Sequence, residues 1–113
     1  MKYVEPQPGG REQLPSAVAA GDVAAICTAL ISAAFHEDDG KWVQDWALEL
    51  LAHPSADVRH TAALTVGHVA RIHRYIDHDL VVPRLQALLD DPEIGGAVEN
   101  ALDDIRMFTD AET

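Results

Sequence analysis

The chain repeats part of its own sequence, and this repeat constrains the fold more than any other feature. The segment Leu50–Pro54 (LLAHP) returns 38 residues later as Leu88–Pro92 (LLDDP), and the same offset places Ala63 on Ala101. A period near 40 residues is typical of solenoids built from helical hairpins. Because each hairpin buries its apolar face only against a neighbour, about three hairpins are needed for a continuous core. The chain has 113 residues, which is enough for three such units in one domain.

The longest helical pattern in the chain begins at Ser55 and continues to residue 73. A helix there has one apolar stripe and a second stripe of small residues. Because an interior glycine costs a helix about 1 kcal/mol, Gly67 indicates that another helix passes close by. Two faces suited to packing predict neighbours on both sides, as in a layered stack. The first stripe is Val58, Ala62, Thr65, Val69 and Ile72, and the second is Ala63, Gly67 and Ala70.

The remaining helices are predicted from their start and stop signals. Ordered structure is expected from Arg11, after a Pro- and Gly-containing leader over residues 1–10, so that residues 11–113 form the domain. Pro83 is placed near the first turn of the fifth helix, and Asp91-Pro92-Glu93 is read as the start of the sixth. The expected helices are Val23–Phe35 capped by Asp22, Lys41–Ala52 capped by Asp39 or Gly40, a fifth that is capped by Asp77 or Asp79 and ends near Leu89, and a sixth from Pro92, capped by Asp91, to about Phe108.

The charge balance restricts the class of partner. Nineteen acidic residues against eight basic ones give a formal net charge of −11. Such a surface repels phosphates and anionic lipids, so we expect neither nucleic acid nor membrane as a partner and do expect a basic protein. No apolar run approaches the roughly 20 residues of a membrane span, and the first ten residues lack the apolar core of a signal peptide. With the single Cys27 expected to be a buried, inert thiol, the sequence is compatible with a reduced, cytoplasmic location.

The segment LLAHPSADVRHTAALTVGHVA (residues 50–70) resembles the HEAT-repeat pattern. It has paired leucines, a short loop with an acid, Val58-Arg59, an apolar triplet from residue 62 to 64, and Gly67. The resemblance covers the central unit well, the C-terminal unit moderately and the first unit poorly, and Gly96-Ala97 stands where the C-terminal unit would need its Val-Arg pair. It implies an all-α, right-handed stack of about three antiparallel hairpins, in which Arg59 and loop acids such as Asp57 form a polar ladder.

Three further segments, residues 67–74, 81–96 and 101–108, resemble small bacterial HEAT-type proteins. Some of those proteins are immunity proteins of contact-dependent inhibition and related polymorphic toxin systems. The resemblance implies that this chain binds and neutralises a toxin domain.

No arrangement for catalysis or metal binding is visible in the sequence. The six histidines contain no pair at i,i+4 spacing, the spacing of a helical metal site. Cys27 has no polar neighbour in sequence to activate it, and adjacent acids on a helix point about 100° apart. We therefore predict no catalytic residue, no metal and no cofactor, and consider an enzyme, such as a lyase of the phycobilin-lyase-like branch of HEAT proteins, a remote alternative.

Two sets of residues are candidates for binding a partner protein. Trp42 and Trp46 lie one turn apart on the third helix. Either one of them packs in the core while the other covers a terminal hairpin, or they belong to an interface hot spot. The second set lies opposite the main core stripe, on the helices that line the concave face of a hairpin stack. An ordinary solvated face is the alternative for this second set. Its members are His60, Leu64, His68 and Arg71 on the fourth helix and Glu99, Asp103 and Asp104 on the sixth.

The sequence therefore leads to one principal hypothesis for function. We expect a binding protein whose acidic concave face sequesters a basic toxin domain, with carboxylates that mimic phosphate in a nuclease-like active site. The alternative is a scaffolding adaptor that assembles other proteins without inhibiting them.

Overall fold

Six α-helices form the regular structure of this computed structural model, which describes residues 11–109. No β-strand occurs in this range, so the predicted all-α class is confirmed. The predicted leader, residues 1–10, and the last four residues lie outside the described part of the chain. The helices are α1 (Gln13–Ala20), α2 (Val23–His36), α3 (Gly40–Leu50), α4 (Ala56–His73), α5 (His78–Gln86) and α6 (Gly95–Phe108).

The helix starts in the first half of the chain follow their capping residues. The side chain of Asp22 accepts a hydrogen bond from the Ala25 backbone N–H at 3.1 Å, and Asp39 accepts one from the Trp42 N–H at 3.1 Å. Both carboxylates thereby satisfy amide groups that a helix start leaves unpaired. Helix α4 begins directly after Ser55, as predicted, although the Ser55 side chain makes no capping bond.

The helices pair into three antiparallel hairpins that stack side by side. Helix α1 packs on α2, α3 on α4, and α5 on α6, while α4 lies between α2 and α6. The predicted two-faced character of α4 is confirmed, since both its stripes are buried except for one residue, Ile72. Ile72 is 43% exposed. At 100° per residue it lies at the edge of the apolar stripe, beside the face that bears His68 and Arg71.

The C-terminal hairpin departs from the expected helix boundaries. Helix α5 ends at Gln86 rather than near Leu89, and α6 begins at Gly95, three residues after Pro92, the predicted first helical residue. The Asp91 carboxylate accepts hydrogen bonds from the backbone N–H groups of Glu93 (2.8 Å) and Ile94 (3.2 Å), so it closes a turn that precedes the helix. Gly95 packs so tightly that a Cβ there would lie 2.5 Å from the Leu89 carbonyl oxygen.

Two smaller differences affect α5 and the core. Pro83 is the sixth residue of α5, in its second turn rather than its first. Gln44 is a fully buried polar residue, and its side-chain oxygen accepts a 2.7 Å hydrogen bond from the Asp77 backbone N–H. This bond ties α3 to the connection between α4 and α5, across the middle of the stack.

Candidate functional site

A groove of about 300 Å³ lies between α4 and α6, on the side of the stack formed by the second helix of each hairpin. Its base consists of small residues, which let the two helices approach and leave room above them. Polar and charged side chains form its walls. The lining residues are Ala63, Leu64, Gly67, His68 and Arg71 of α4 and Ala97, Asn100, Ala101, Asp103 and Asp104 of α6.

Arg71 holds the polar wall of this groove together. One guanidinium nitrogen donates to Asp104 Oδ2 at 2.7 Å, and the other donates to His68 Nδ1. Partial burial lowers the pKa of His68 below its usual value, and the neighbouring Arg71 charge lowers it further. The lowered pKa favours the neutral imidazole, and because Arg71 can only donate, Nδ1 is the accepting nitrogen of this contact.

Gly67 allows this arrangement because it has no side chain. A Cβ at this position would lie 2.7 Å from Asp104 Oδ2 and 3.5 Å from the Ala101 Cα. The carboxylate of Asp104 thus occupies the space that any other residue would fill. The prediction that another helix passes close to Gly67 is confirmed, and the helix is α6.

The acids of the predicted set differ in their pairing. Asp104 is paired with Arg71, and Asp103 is paired with Arg106 one turn further along α6. Each pair uses one carboxylate oxygen; Asp104 Oδ1 and Asp103 Oδ2 accept no hydrogen bond from the described residues. Glu99 and His60 are exposed and lie outside the groove. The structure therefore brings together Leu64, His68, Arg71, Asp103 and Asp104, with Glu99 and His60 on the same helices beside them.

The two tryptophans are separate from this groove. Trp42 and Trp46 are both half-buried on α3 and pack against the core, with ring centroids 6.4 Å apart in an edge-to-face arrangement. The Arg11 guanidinium lies 5.0 Å from the Trp42 ring centroid, a cation–π distance. Neither ring lines the groove, so the predicted partner-binding set divides into two regions. A role for the tryptophans in partner binding stays a prediction.

Three residues beside the groove were not singled out from the sequence. Phe35 of α2 is 52% exposed, and its ring centroid lies 4.8 Å from that of His68. Asn100 lines the groove, and Met107, one turn beyond Asp103 and Asp104, is 70% exposed. Asn100 and Met107 follow the i,i+3/i+4 spacing of Asp103 and Asp104 on α6, so helical periodicity was a usable signal for them. No signal in the local sequence indicated the contact of Phe35 with His68.

The negative charge of the surface is largely uncompensated. Within residues 11–109, every Lys and Arg side chain has a partner: five form ion pairs, Arg84 donates to the Leu48 carbonyl, and Arg74 lies over the Phe108 ring. The surface therefore carries an excess of carboxylates available to a cationic partner. The described carboxylates outside these ion pairs are Glu12, Asp22, Asp38, Glu49, Asp57, Asp77, Asp79, Asp90, Asp91 and Glu99.

Arg59 connects the central hairpin to the C-terminal one. It donates to the carbonyl oxygens of His53 and Pro54, both at 2.9 Å, and to Glu93 Oε1 at 2.7 Å. The ladder expected from the resemblance would pair Arg59 with a loop acid, and the acid here is Glu93 of the next hairpin. The Asp57 carboxylate, the other expected member, forms no ion pair with the described residues; only its backbone carbonyl forms a contact, at 3.6 Å from the Cys27 thiol, which is half-buried rather than buried as predicted.

Two general properties of the described residues bear on function. No group of three His, Cys, Asp or Glu side chains within residues 11–109 has a geometry suited to a metal ion. Across the same range, none of the helices combines the length and apolar character that crossing a bilayer requires.

Comparison with known proteins relates this chain to a solved structure. No family model and no curated protein matches the sequence. The fold matches one chain of the crystal structure of a CDI complex from Cupriavidus taiwanensis LMG 19424, with a TM-score of 0.80 and 30% sequence identity. The match covers 96% of this chain and 97% of the other. At this identity over nearly the whole length of both chains, the protein belongs to the same family as that subunit of the CDI complex.

Proposed function

We propose that this protein is an immunity protein that binds and neutralises a toxin domain. The observation that carries the proposal is the near full-length similarity to a chain of a CDI complex. CDI denotes contact-dependent inhibition, in which a toxin domain is paired with an immunity protein. The resemblance of residues 67–74, 81–96 and 101–108 to small bacterial immunity proteins supports the immunity role within such a pair.

The fold suits a protein that acts by binding. We assign the stack of hairpins to the HEAT-like class, whose second helices present a continuous surface to partners. In this chain that surface comprises α2, α4 and α6, and α4 and α6 form the groove on it. Occlusion of a toxin active site by such a surface requires no chemistry from the immunity protein, so the proposed mechanism is non-enzymatic.

The charge of the molecule supports a basic, nuclease-like toxin as the partner. The net charge of −11 and the unpaired carboxylates attract a cationic surface of the kind that binds nucleic acid. Complementary charges act mainly on the association rate. We therefore expect the association rate to fall as salt rises, while the dissociation rate changes less. Neutralisation of this toxin takes place in the cytoplasm, where its substrate would be.

We expect the gene that neighbours this one to encode a toxin domain, and that domain provides the test. We expect the purified toxin to form a stable complex with this protein, to lose its activity in that complex, and to spare cells that co-express both. A toxin from an unrelated CDI locus is the specificity control. If the cognate toxin binds but retains full activity, the protein is a scaffolding adaptor; if it does not bind, the immunity role is wrong.

A matched pair of charge reversals locates the binding surface. Glu99 on α6 and Glu49 on α3 are both exposed acids on helices, without an ion-pair partner among the described residues. Glu99→Lys reverses a charge on the proposed binding surface. Glu49→Lys makes the same charge reversal on α3, in the layer formed by the first helix of each hairpin. We expect Glu99→Lys to weaken binding by about tenfold and Glu49→Lys by about twofold or less. Equal effects would show that only the overall charge matters.

A further inference from the structure

The groove between α4 and α6 has room for one long side chain. Its base is formed by Ala63, Gly67, Ala97 and Ala101, none of which extends beyond a methyl group into its volume of about 300 Å³. The small residues at the base leave space between the two walls of the groove, while the core beneath them stays packed. The groove is thus a slot rather than a flat patch.

The charges that line the slot favour a cation. Arg106, which pairs with Asp103, lies outside the lining; within it, Asp103 and Asp104 contribute two carboxylates and Arg71 contributes one guanidinium. The guanidinium is already engaged by Asp104 and His68, whereas one oxygen of each carboxylate accepts no hydrogen bond from the described residues. Asn100 adds an amide, with one acceptor oxygen and a donor NH2 group, to the same wall. The free carboxylate oxygens of Asp103 and Asp104 are therefore the charged hydrogen-bonding groups of the wall that remain open to a partner.

Three apolar side chains lie in or beside the slot. Leu64 lines one side, the exposed Phe35 ring packs on His68, and the exposed Met107 follows the two acids by one turn of α6. Phenylalanine and methionine are enriched at the centres of protein interfaces. This combination suits a side chain with an apolar stem and a cationic head, since the stem packs on apolar groups while the head is hydrogen-bonded.

We propose that the slot between α4 and α6 receives one Arg or Lys side chain of the toxin, whose cationic head hydrogen-bonds to the free oxygens of Asp103 and Asp104. This inference rests on the proposed immunity function and specifies how the partner is recognised. Charge complementarity selects this occupant over an acidic side chain.

Substitutions at Asn100 test the occupant without disturbing the internal ion pairs. Asn100 is exposed and lines the slot, so Asn100→Lys places a cation where the partner's cation would lie. Gln13→Lys on α1 is the matched control, because it also replaces an exposed amide by lysine and changes the net charge equally. Asn100→Asp reverses the sign of the added charge at the same position. Affinity for the cognate toxin is measured by calorimetry, and circular dichroism verifies the fold of each variant.

We expect Asn100→Lys to weaken toxin binding by about tenfold or more, Gln13→Lys by about twofold or less, and Asn100→Asp not to weaken it. Equal losses for Asn100→Lys and Asn100→Asp would mean that the occupant is not a cation and would overturn the inference. Equal losses for Asn100→Lys and Gln13→Lys would also overturn it. In both cases wild-type binding and inhibition would leave the immunity function intact, whereas failure of the wild-type protein to bind would overturn both proposals.

Discussion

The central and C-terminal hairpins carry the same sequence motif, but its leucines are buried to different extents in the two hairpins. Leu50 and Leu51 precede Pro54 in the central hairpin and are both 3% exposed. Their counterparts 38 residues later, Leu88 and Leu89, are half-buried and 41% exposed, respectively. The same offset relates the fully buried Val58 to the exposed Gly96.

The position of each hairpin in the stack explains the difference. Helix α4 packs between α2 and α6, whereas the α5–α6 hairpin has a packed neighbour on one side only within the described chain. A leucine next to two neighbouring hairpins is removed from water, while the equivalent leucine at the end keeps solvent contact. A repeat therefore specifies which residues point inward, but the number of neighbours decides how much free energy their burial contributes.

The largest expected effect comes from the paired leucines. Leu51→Ala should reduce the free energy of unfolding by about 2–5 kcal/mol, because it leaves a cavity in a closed core. Leu89→Ala should reduce it by about 1 kcal/mol or less, since much of that side chain is already in water. Urea unfolding followed by circular dichroism measures both. Equal losses would contradict the view that stack position controls burial.

The second comparison concerns the ion pair between these hairpins. Arg59→Ala should lower the free energy of unfolding by about 1–3 kcal/mol, because two backbone carbonyls lose their donor. Glu93→Ala should lower it by about 1 kcal/mol or less, because the Glu93 carboxylate is largely exposed. Both are measured by the same unfolding experiment. A Glu93→Ala loss as large as that of Arg59→Ala would show that the ion pair, rather than the carbonyl contacts, links the hairpins.

The glycines of the two hairpins should respond differently to alanine. Gly96→Ala on α6 meets no atom within 4 Å and should raise the free energy of unfolding by up to about 1 kcal/mol. Gly67→Ala on α4 should give no such gain, because its Cβ displaces the Asp104 carboxylate from Arg71. In an Asp104→Ala background the gain at position 67 should return. If Gly67→Ala alone stabilises the protein as much as Gly96→Ala does, the contact with Asp104 is unimportant.

The smallest expected effect is a pH dependence at His68 in the central hairpin. Because folding lowers the His68 pKa, the unfolded chain binds more protons below about pH 6.5, its ordinary value. Stability should therefore fall as the pH drops through 6.5 toward the folded pKa. His68→Asn, which keeps an acceptor for Arg71, should make the decline between pH 7.5 and 5.5 shallower. An unchanged decline in chemical unfolding curves would exclude a contribution from His68.

The sequence alone predicted the helical class and the order of the helices, and it placed Leu64, His68 and Arg71 on α4 and Asp103 and Asp104 on α6. These are local properties: the capping of α2 by Asp22 and the two-faced pattern of residues 56–73 depend on spacing along one helix. The predicted start of α6 was wrong, because Asp91 and Pro92 suit a turn as well as the start of a helix. In the structure, Gly95 packs against the Leu89 carbonyl next to this turn. The helix-start signals in the sequence do not indicate that contact.

Only the tertiary structure decided how the site is assembled. The sequence placed Asp103 and Asp104 on an acidic face, but the structure shows that Arg106 and Arg71 already hold one oxygen of each. It also separated the tryptophans from the groove and brought Phe35 onto His68. Local spacing determines which face of a helix a residue occupies, since the helix period is fixed. Contacts between residues 33 positions apart, such as Arg71 and Asp104, depend on how the hairpins stack, and that is a property of the whole core.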